Sequence, residues 1–414
     1  MNHRDDPVGT LPKKPDRTAD FHFDHHAEAF VHGHKDINDE IRQQCPVGKT
    51  DAHGGFWVLS GHAEVTEAAR DDVRFSSEIS LLIPPSKVGP LLPLQADPPR
   101  LQTYRLALMP FFKPEAVATM IPAIEADTKT AIDAMLHRGR GEIVNDLGLP
   151  VPGRTTMRVL GLAPDRWEEF GRPINQVTFV HPGSTTYANA EQQIRAFDQK
   201  ITEEIDLRLA TPREDGISKL IAFRHSDVRL TRDELIALVR MIIFGGLDTV
   251  TGAIGNIVAI LATRQDLQNR LRQTPDLLPS AIEEFLRFEA PIQGFARKAT
   301  CSFSMGGRTI SKGDRVWLNW GAANHDPSVF AEPALISLDR SPNRHLTFGI
   351  GGHLCSGARL ARAEIRIMLQ TLLNATSRFD LTGEGIGYPR TIGQLLGKKA
   401  VHIRMTPKKD SADG

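Results

Sequence analysis

The chain has 414 residues, in which 50 Lys and Arg are matched by 50 Asp and Glu, and 40% of the residues are hydrophobic. That balance excludes the basic excess with which nucleic-acid binders neutralise phosphates, so no nucleic-acid partner is expected. Three cysteines, Cys45, Cys301 and Cys355, are few and odd in number, which argues against a disulfide framework and for a reducing cytoplasm.

Residues 1–20 carry charges and prolines but no apolar core, so they read as a frayed tail, not a signal or a membrane anchor. Residues 21–414 show no repeat and no long Gly/Ser linker and read as a single domain. Near its start, HFDHHAEAFVHGH places histidines at 22, 25, 26, 32 and 34. No cysteine or acidic pattern beside them fixes a metal geometry, so they read as incidental surface histidines. Next, GFWVLS over 55–60 reads as a strand running into a helix over 62–71. Helical periodicity marks 114–137, 166–176, 191–210, 231–264 and 278–288. Strand-and-turn text takes over at 301, with turns at Gly306-Gly307 and Lys312-Gly313-Asp314 and a strand over 316–320. A last helix begins after Cys355, and short strands near 400–405 close the chain. The class is mainly α (α+β), a helix-rich portion with a smaller β-rich portion.

The longest helical pattern opens with a capping box, Thr231 with Glu234 three residues on. Arg240, Asp248 and Asn256 interrupt it, and no apolar run reaches the length needed to span a bilayer, so it reads as a buried core helix. Inside it stands FGGLDTV, where Gly245 and Gly246 weaken the helix and allow a bulge. Asp248 and Thr249 put an acid and a hydroxyl in an oily stretch. Two readings stand: a Thr bonding back to a helix carbonyl with Asp248 in a surface salt bridge, or a functional pair.

FGIGGHLCSG sets Cys355 among glycines just ahead of a helix whose apolar face runs through Ala361, Ile365, Met368, Leu369 and Leu372. Gly349, Gly351, Gly352 and Gly357 permit positive φ and a close approach to a flat object. The helix dipole and the N–H groups of Ser356, Gly357 and Ala358 favour a thiolate at Cys355. Such a thiolate is a metal ligand or a nucleophile. Zinc would need three more ligands, and neither other cysteine has a CxxC or CxxH partner. A catalytic thiol would need His353 as its base, and a buried cysteine in a glycine-rich turn is the plain alternative.

Phe348, Gly349, Gly351, His353, Cys355 and Gly357 match F-G-x-G-x-H-x-C-x-G throughout, and the chain thereby resembles the cytochromes P450, whose haem-binding signature this is. Glu284 and Arg287, in AIEEFLRFEAP about seventy residues before the cysteine, match the family's Glu-x-x-Arg, and Arg340 stands where the family completes that network with an arginine. The resemblance implies that Cys355 is the axial ligand to the iron of haem b, iron protoporphyrin IX. It implies that Asp248 and Thr249 are the acid and alcohol that deliver protons for O–O cleavage, and that His353, Arg297 and Arg105 meet the propionates. Many relatives read D-P-P-E-H-T where this chain has Arg100 and Leu101, so the usual histidine contact is absent. Arginine, which can grip a carboxylate with two hydrogen bonds, remains.

The activity so implied is a monooxygenase reaction, one atom of O2 entering a C–H bond of a small hydrophobic substrate, terpenoid-like first and aromatic second. The expected pocket comprises the Leu81-Leu82-Ile83 loop, Val177 to Val180, Met241, Phe244, Gly245, Ile292, Phe295, Leu395 and Leu396, nearly all apolar. GGLDTV and the chain length are most similar to the soluble bacterial, camphor-hydroxylase-like members. About sixty residues follow the cysteine loop, too few for a flavin domain, and no dinucleotide fingerprint stands in a strand-turn-helix context. Electrons are therefore expected from a separate [2Fe-2S] ferredoxin with an NAD(P)H-dependent reductase. Its docking stripe is Arg359, Arg362 and Arg366, extended by Arg100, Arg105 and Lys113, unless this is merely a solvated face. A peroxide-using P450 and a non-catalytic haem-based sensor are the alternatives. A cytoplasmic monomer with no membrane contact is expected.

Overall fold

One helix, Arg232–Thr263, organises the molecule, and its sequence explains why. The Thr231 hydroxyl accepts the Glu234 N–H at 3.3 Å while the Glu234 carboxylate accepts the Thr231 N–H at 2.8 Å, the capping box read from the sequence. Such a cap stabilises the first turn by roughly 1 kcal/mol. Beyond it, apolar residues continue all round the helix, so it has no solvent face to offer and is enclosed by other helices. Among the described residues it is the one helix long and apolar enough to cross a membrane, and its apolar window is 67% buried within the protein. Full burial of each Val, Leu or Ile contributes about 1.5–3 kcal/mol.

The structure of the protein, a computed structural model, describes residues 20–85, 89–178, 187–387 and 394–408. Residues 1–19 of the expected tail lie outside these. Asp20 is held by Arg308 and by the Lys49 backbone.

Helices Pro150–Leu160, Trp167–Thr178, Tyr187–Ala210, Leu278–Phe288 and Ala358–Ala375 pack on the central helix, and Pro114–His137 packs on two of these. Pro150–Leu160 carries no helical signal in PVPGRTTM, rich in residues that form helices poorly; burial of Val151, Met157 and Leu160 overrides propensity. Gly246 allows its approach, since a Cβ there would lie 2.5 Å from Thr156 Oγ1. The bulge expected at Gly245-Gly246 does not form. The central helix runs unbroken, and the two glycines serve packing instead of distortion.

The β portion is a five-stranded sheet in the order Val47–Thr50, Phe56–Leu59, Arg315–Asn319, Gly294–Ala299, Phe75–Ser76. Phe56–Leu59 pairs parallel with Arg315–Asn319, so the first strand read from the sequence is joined to a segment some 250 residues later. Thr376–Gly387, Ala400–Pro407 and Arg140–Glu142 form a second sheet. Between the sheets and the helices lies the cysteine loop.

Candidate active site

The loop before Ala358–Ala375 is shaped by its glycines. Gly349 and Gly351 adopt φ of +69° and +75°, and a Cβ on Gly351 would lie 2.7 Å from the Ala69 carbonyl oxygen. Gly357 has an ordinary φ of −84°, so it is not needed for a left-handed turn. Its lack of a side chain leaves room beside Phe112, the nearest atom to a would-be Cβ at 3.7 Å. The Cys355 N–H donates to the Phe348 carbonyl at 2.8 Å, which closes the loop and directs the side chain into a cavity.

Cys355 is exposed to the cavity that it lines. Burial pushes the Cys355 thiol up; the N–H groups of Gly357 and Ala358 and the charges of Arg362 and Arg105 oppose this without overcoming it. The groups at the helix terminus thus act in the direction expected from the sequence, and burial outweighs them. A coordinated metal ion deprotonates a thiol outright.

Behind the loop lies an ion network with a fully buried centre. Glu284 and Arg287 are both 0% exposed and pair through two hydrogen bonds of 2.8 Å. Arg340 Nε donates to Glu284 at 2.9 Å, as do the Ser337 N–H at 2.9 Å and Asn343 at 3.1 Å. Arg287 also donates to the carbonyls of Asn324, Pro333 and Leu335. Burial alone would raise Glu284, but Arg287, the Ser337 N–H and Arg340 together hold it below the usual carboxylate range. All three residues named from the sequence meet here.

The cavity runs from Cys355 and Phe348 to the central helix, with an empty volume of about 1600 Å3 including its open mouth. Arg105, Arg297 and His353 border it. Arg297 is 3% exposed; burial lowers it to about 10 against the pull of Asp72 and Asp97, so it stays charged at neutral pH. Arg105 donates to the Leu354 carbonyl at 2.7 Å. His353 Nε2 lies 3.0 Å from Ser77 Oγ, and its Nδ1 is buried with no hydrogen-bond partner among the described residues. Burial, then Arg297 and Arg105, lower His353 to about 3, so it is neutral here and offers a hydrogen bond. Two cations, an orphaned imidazole nitrogen and a lone thiol around an apolar slot fit a flat, dianionic, metal-bearing ring.

Across the cavity, Thr249 Oγ1 donates to the Gly245 carbonyl at 2.6 Å. Its hydrogen is used within the helix, and the oxygen presents lone pairs to the cavity it lines. The helix back-bond and a place in the cavity wall therefore hold together. Asp248 is 4% exposed, so it is not the surface ion pair of the plain reading.

Of the expected pocket residues, Met241, Gly245, Ile292 and Phe295 line the cavity. Leu81 of the expected loop lines it, whereas Leu82 and Ile83 do not, Ile83 packing in the core behind. Phe244 turns away to meet Phe197 edge-on at 6.3 Å, and Leu395 is buried in a bridge to Ile292. Val180 and the side chain of Val177 lie outside the described residues. Sequence reasoning missed Thr156 and Glu364, which also line the cavity. Glu364 is 2% exposed, and burial raises it to about 8 against an interaction with Thr155, so it is protonated at neutral pH. The signal was an acid on the apolar face of the last helix, between Leu360 and Met368.

The expected basic stripe is only partly available. Arg359 is exposed and Arg366 half-buried, and among the described residues neither makes an ion pair. Arg362 is committed to Glu283 through two hydrogen bonds of 2.7 Å and lies over the Phe348 ring. Arg100, with 38% of its side chain exposed, pairs with Glu234 at the cap of the central helix.

A mainly α fold enclosing a glycine-framed cysteine that faces a slot rimmed with cations defines a haem-thiolate protein. The cytochrome P450 family pattern matches residues 172–385. Cytochrome P450 130 of Mycobacterium tuberculosis is 31% identical over 337 residues, which cover 79% of this chain and 83% of that protein. The steroid C26-monooxygenase of the same organism is 29% identical over 85% of this chain and 95% of its own. The solved structure of CYP109Q5 from Chondromyces apiculatus superposes with a TM-score of 0.84 at 25% identity, over 93% of this chain and 98% of that one. The chain belongs to the cytochrome P450 family; it is a monooxygenase, its cofactor is haem b, and O2, an organic substrate and a source of electrons are its reactants.

Proposed function

We propose that this P450 inserts one oxygen atom of O2 into a C–H bond of a compact hydrophobic, terpenoid-like molecule, using electrons from a separate [2Fe-2S] ferredoxin reduced by an NAD(P)H-dependent reductase. The observation that carries the substrate class is the composition of the cavity wall opposite Cys355: Leu81, Met241, Val250, Ile292 and Phe295 present hydrocarbon, with Thr156, Thr249 and Glu364 as the polar exceptions beyond the rim. A relative named for a steroid supports the same class. In this reading Cys355 holds the iron, and Arg297 and Arg105 hold the propionates as charged donors while His353 contributes a neutral hydrogen bond. The bound haem supplies the oxygen activation and the electron push of its thiolate ligand.

The chain supplies positions and protons. Thr249, its own hydrogen engaged by Gly245, accepts a hydrogen bond in the cavity and orders a proton donor there, and buried Asp248 passes protons inward. Apolar walls exclude bulk water from the reacting carbon. Retention of this acid-alcohol pair supports the O2-dependent reading over a peroxide-driven one. Arg359 and Arg366 remain as cations for brief contact with an acidic ferredoxin. We place the protein in the cytoplasm.

The test begins with reduced, haem-loaded protein under carbon monoxide. Wild type is expected to give the Soret band of thiolate coordination, and Cys355→Ser to lose it while keeping haem. Retention of that band by the variant would remove Cys355 from its role. NADH consumption and product analysis with a ferredoxin, a reductase and a panel of terpenoids and aromatics then decide the substrate class. Turnover confined to the aromatics would overturn the terpenoid assignment.

A further inference from the structure

On the far side of the five-stranded sheet from the cysteine loop, three of the molecule's histidines meet. His25 and His26 precede the helix Glu28–Gln44, and His53 stands in the turn Ala52–Gly54 with a left-handed φ of +51°. The surface reading of the N-terminal histidines is corrected here: His22 and His32 are exposed, but His25 is 0%, His26 7% and His34 9% exposed. His53, well downstream of the HFDHH text, was absent from that reading. Chain folding brings it in.

His25, His26 and His53 each offer one ring nitrogen, and these nitrogens lie within 4.8 Å of one another. His25 adds an independent observation. Neither of its nitrogens makes a hydrogen bond of good geometry among the described residues, the Ile83 carbonyl being near enough only to act on it electrostatically, although the ring is completely buried and stacked on Trp317 at 4.5 Å. An unmade hydrogen bond on a buried polar atom is destabilising. The other two histidines are oriented from outside. His53 Nε2 bonds to Asp24 Oδ1 at 2.7 Å and His26 Nε2 to the Ile83 carbonyl at 2.8 Å. A carboxylate or a carbonyl behind an imidazole is the arrangement that orients metal-binding histidines. Asp24, which accepts from His53, places a carboxylate directly behind the site.

We propose that His25, His26 and His53 form a site for a divalent transition cation of the zinc class, with the Asp24 carboxylate behind His53 and water in the fourth position. Imidazole nitrogens without hard oxygen ligands select zinc, copper or nickel over magnesium and calcium. Zinc–nitrogen bonds of about 2.0–2.1 Å set tetrahedral ligands about 3.4 Å apart, a contraction that small ring rotations supply. The half-buried His53, 17% exposed, is the entry side. The site has a structural consequence. Ile83, which accepts from His26, belongs to the loop whose Leu81 accepts from the Ala296 N–H at 3.0 Å and lines the cavity. A bound cation braces that loop from behind.

The test uses the full-length, haem-loaded protein, stripped with a chelator, desalted and titrated with Zn2+ by calorimetry, with elemental analysis after a second desalting. One zinc per chain is expected. His25→Phe, which keeps the ring stack, and separately His53→Asn, at the accessible edge, are expected to weaken binding about tenfold or more. A His22→Ala, His32→Ala double variant, at exposed positions, is expected to bind as wild type does. The haem spectrum of each variant reports that it has folded. Zinc absent from desalted wild type, or bound equally by wild type, His25→Phe and His53→Asn, overturns the site.

Discussion

On the cysteine side of the cavity, Glu284 accepts hydrogen bonds from Arg287, Arg340, Asn343 and the Ser337 N–H, and Arg287 spends its remaining donors on three carbonyls. On the opposite side, the Thr249 hydroxyl turns back to the Gly245 carbonyl of its own helix and, apart from Thr156 and Glu364, the wall is hydrocarbon. The first wall is directional: each charge is out of water and must find its partners at set distances, so the geometry is over-determined. The second is held by burial, which has no direction and tolerates exchange of side chains of similar volume. A thiol that must meet one iron atom suits the former, and a pocket that must fit one substrate among many suits the latter.

The largest expected effect sets these walls directly against each other. Arg287→Lys removes the fork that binds Glu284 and leaves a buried carboxylate short of donors, at a cost of about 3–5 kcal/mol. Met241→Leu, on the cavity wall, is expected to cost under about 1.5 kcal/mol. Urea midpoints of the haem-loaded proteins measure both, and equal losses would erase the distinction.

A second effect concerns Glu364, the acid that crosses from one style of construction into the other. Its folded pKa is about 8 against an ordinary 4.5, so the folded state keeps a proton that the unfolded chain releases. Its contribution is therefore favourable below pH 4.5 and is lost as pH rises through 8, each pH step between those two values removing about 1.4 kcal/mol. Glu364→Gln has no such proton, and its melting temperature is expected to fall less than that of wild type between pH 5.5 and 8.5. Parallel curves would show that Glu364 is already ionised when folded.

The smallest change in stability belongs to Thr249→Ala, which gives up one hydrogen bond to Gly245, about 0.5–1.5 kcal/mol. Its functional effect is larger than its structural one. NADH consumption is expected to continue while product falls about tenfold and hydrogen peroxide accumulates, in keeping with the usual contribution of a positioned proton donor. Unchanged coupling between NADH and product would show that proton delivery runs elsewhere.

What could be read along the chain was local. The capping box of Thr231 and Glu234, the glycine-framed cysteine loop, the Glu284–Arg287 spacing and the strands at 56–59 and 315–319 all depend on residues near one another in sequence. Their conformations follow from backbone sterics, helix-end chemistry and side-chain periodicity, which neighbours alone can set. Arg340 was found because an ordered pattern placed it, not because spacing did.

Only the tertiary structure decided which way side chains face and what they titrate as. Leu81 and not Leu82 meets the cavity, Phe244 goes to Phe197, and Arg100 is drawn to Glu234, choices set by packing between segments more than a hundred residues apart in two of these three cases. Burial, a property of the whole fold, keeps His353 neutral, protonates Glu364, lifts Cys355 against its helix terminus and gathers His25, His26 and His53 into one cluster. Desolvation energies depend on everything that surrounds a group, and a linear chain does not contain its surroundings until it has folded.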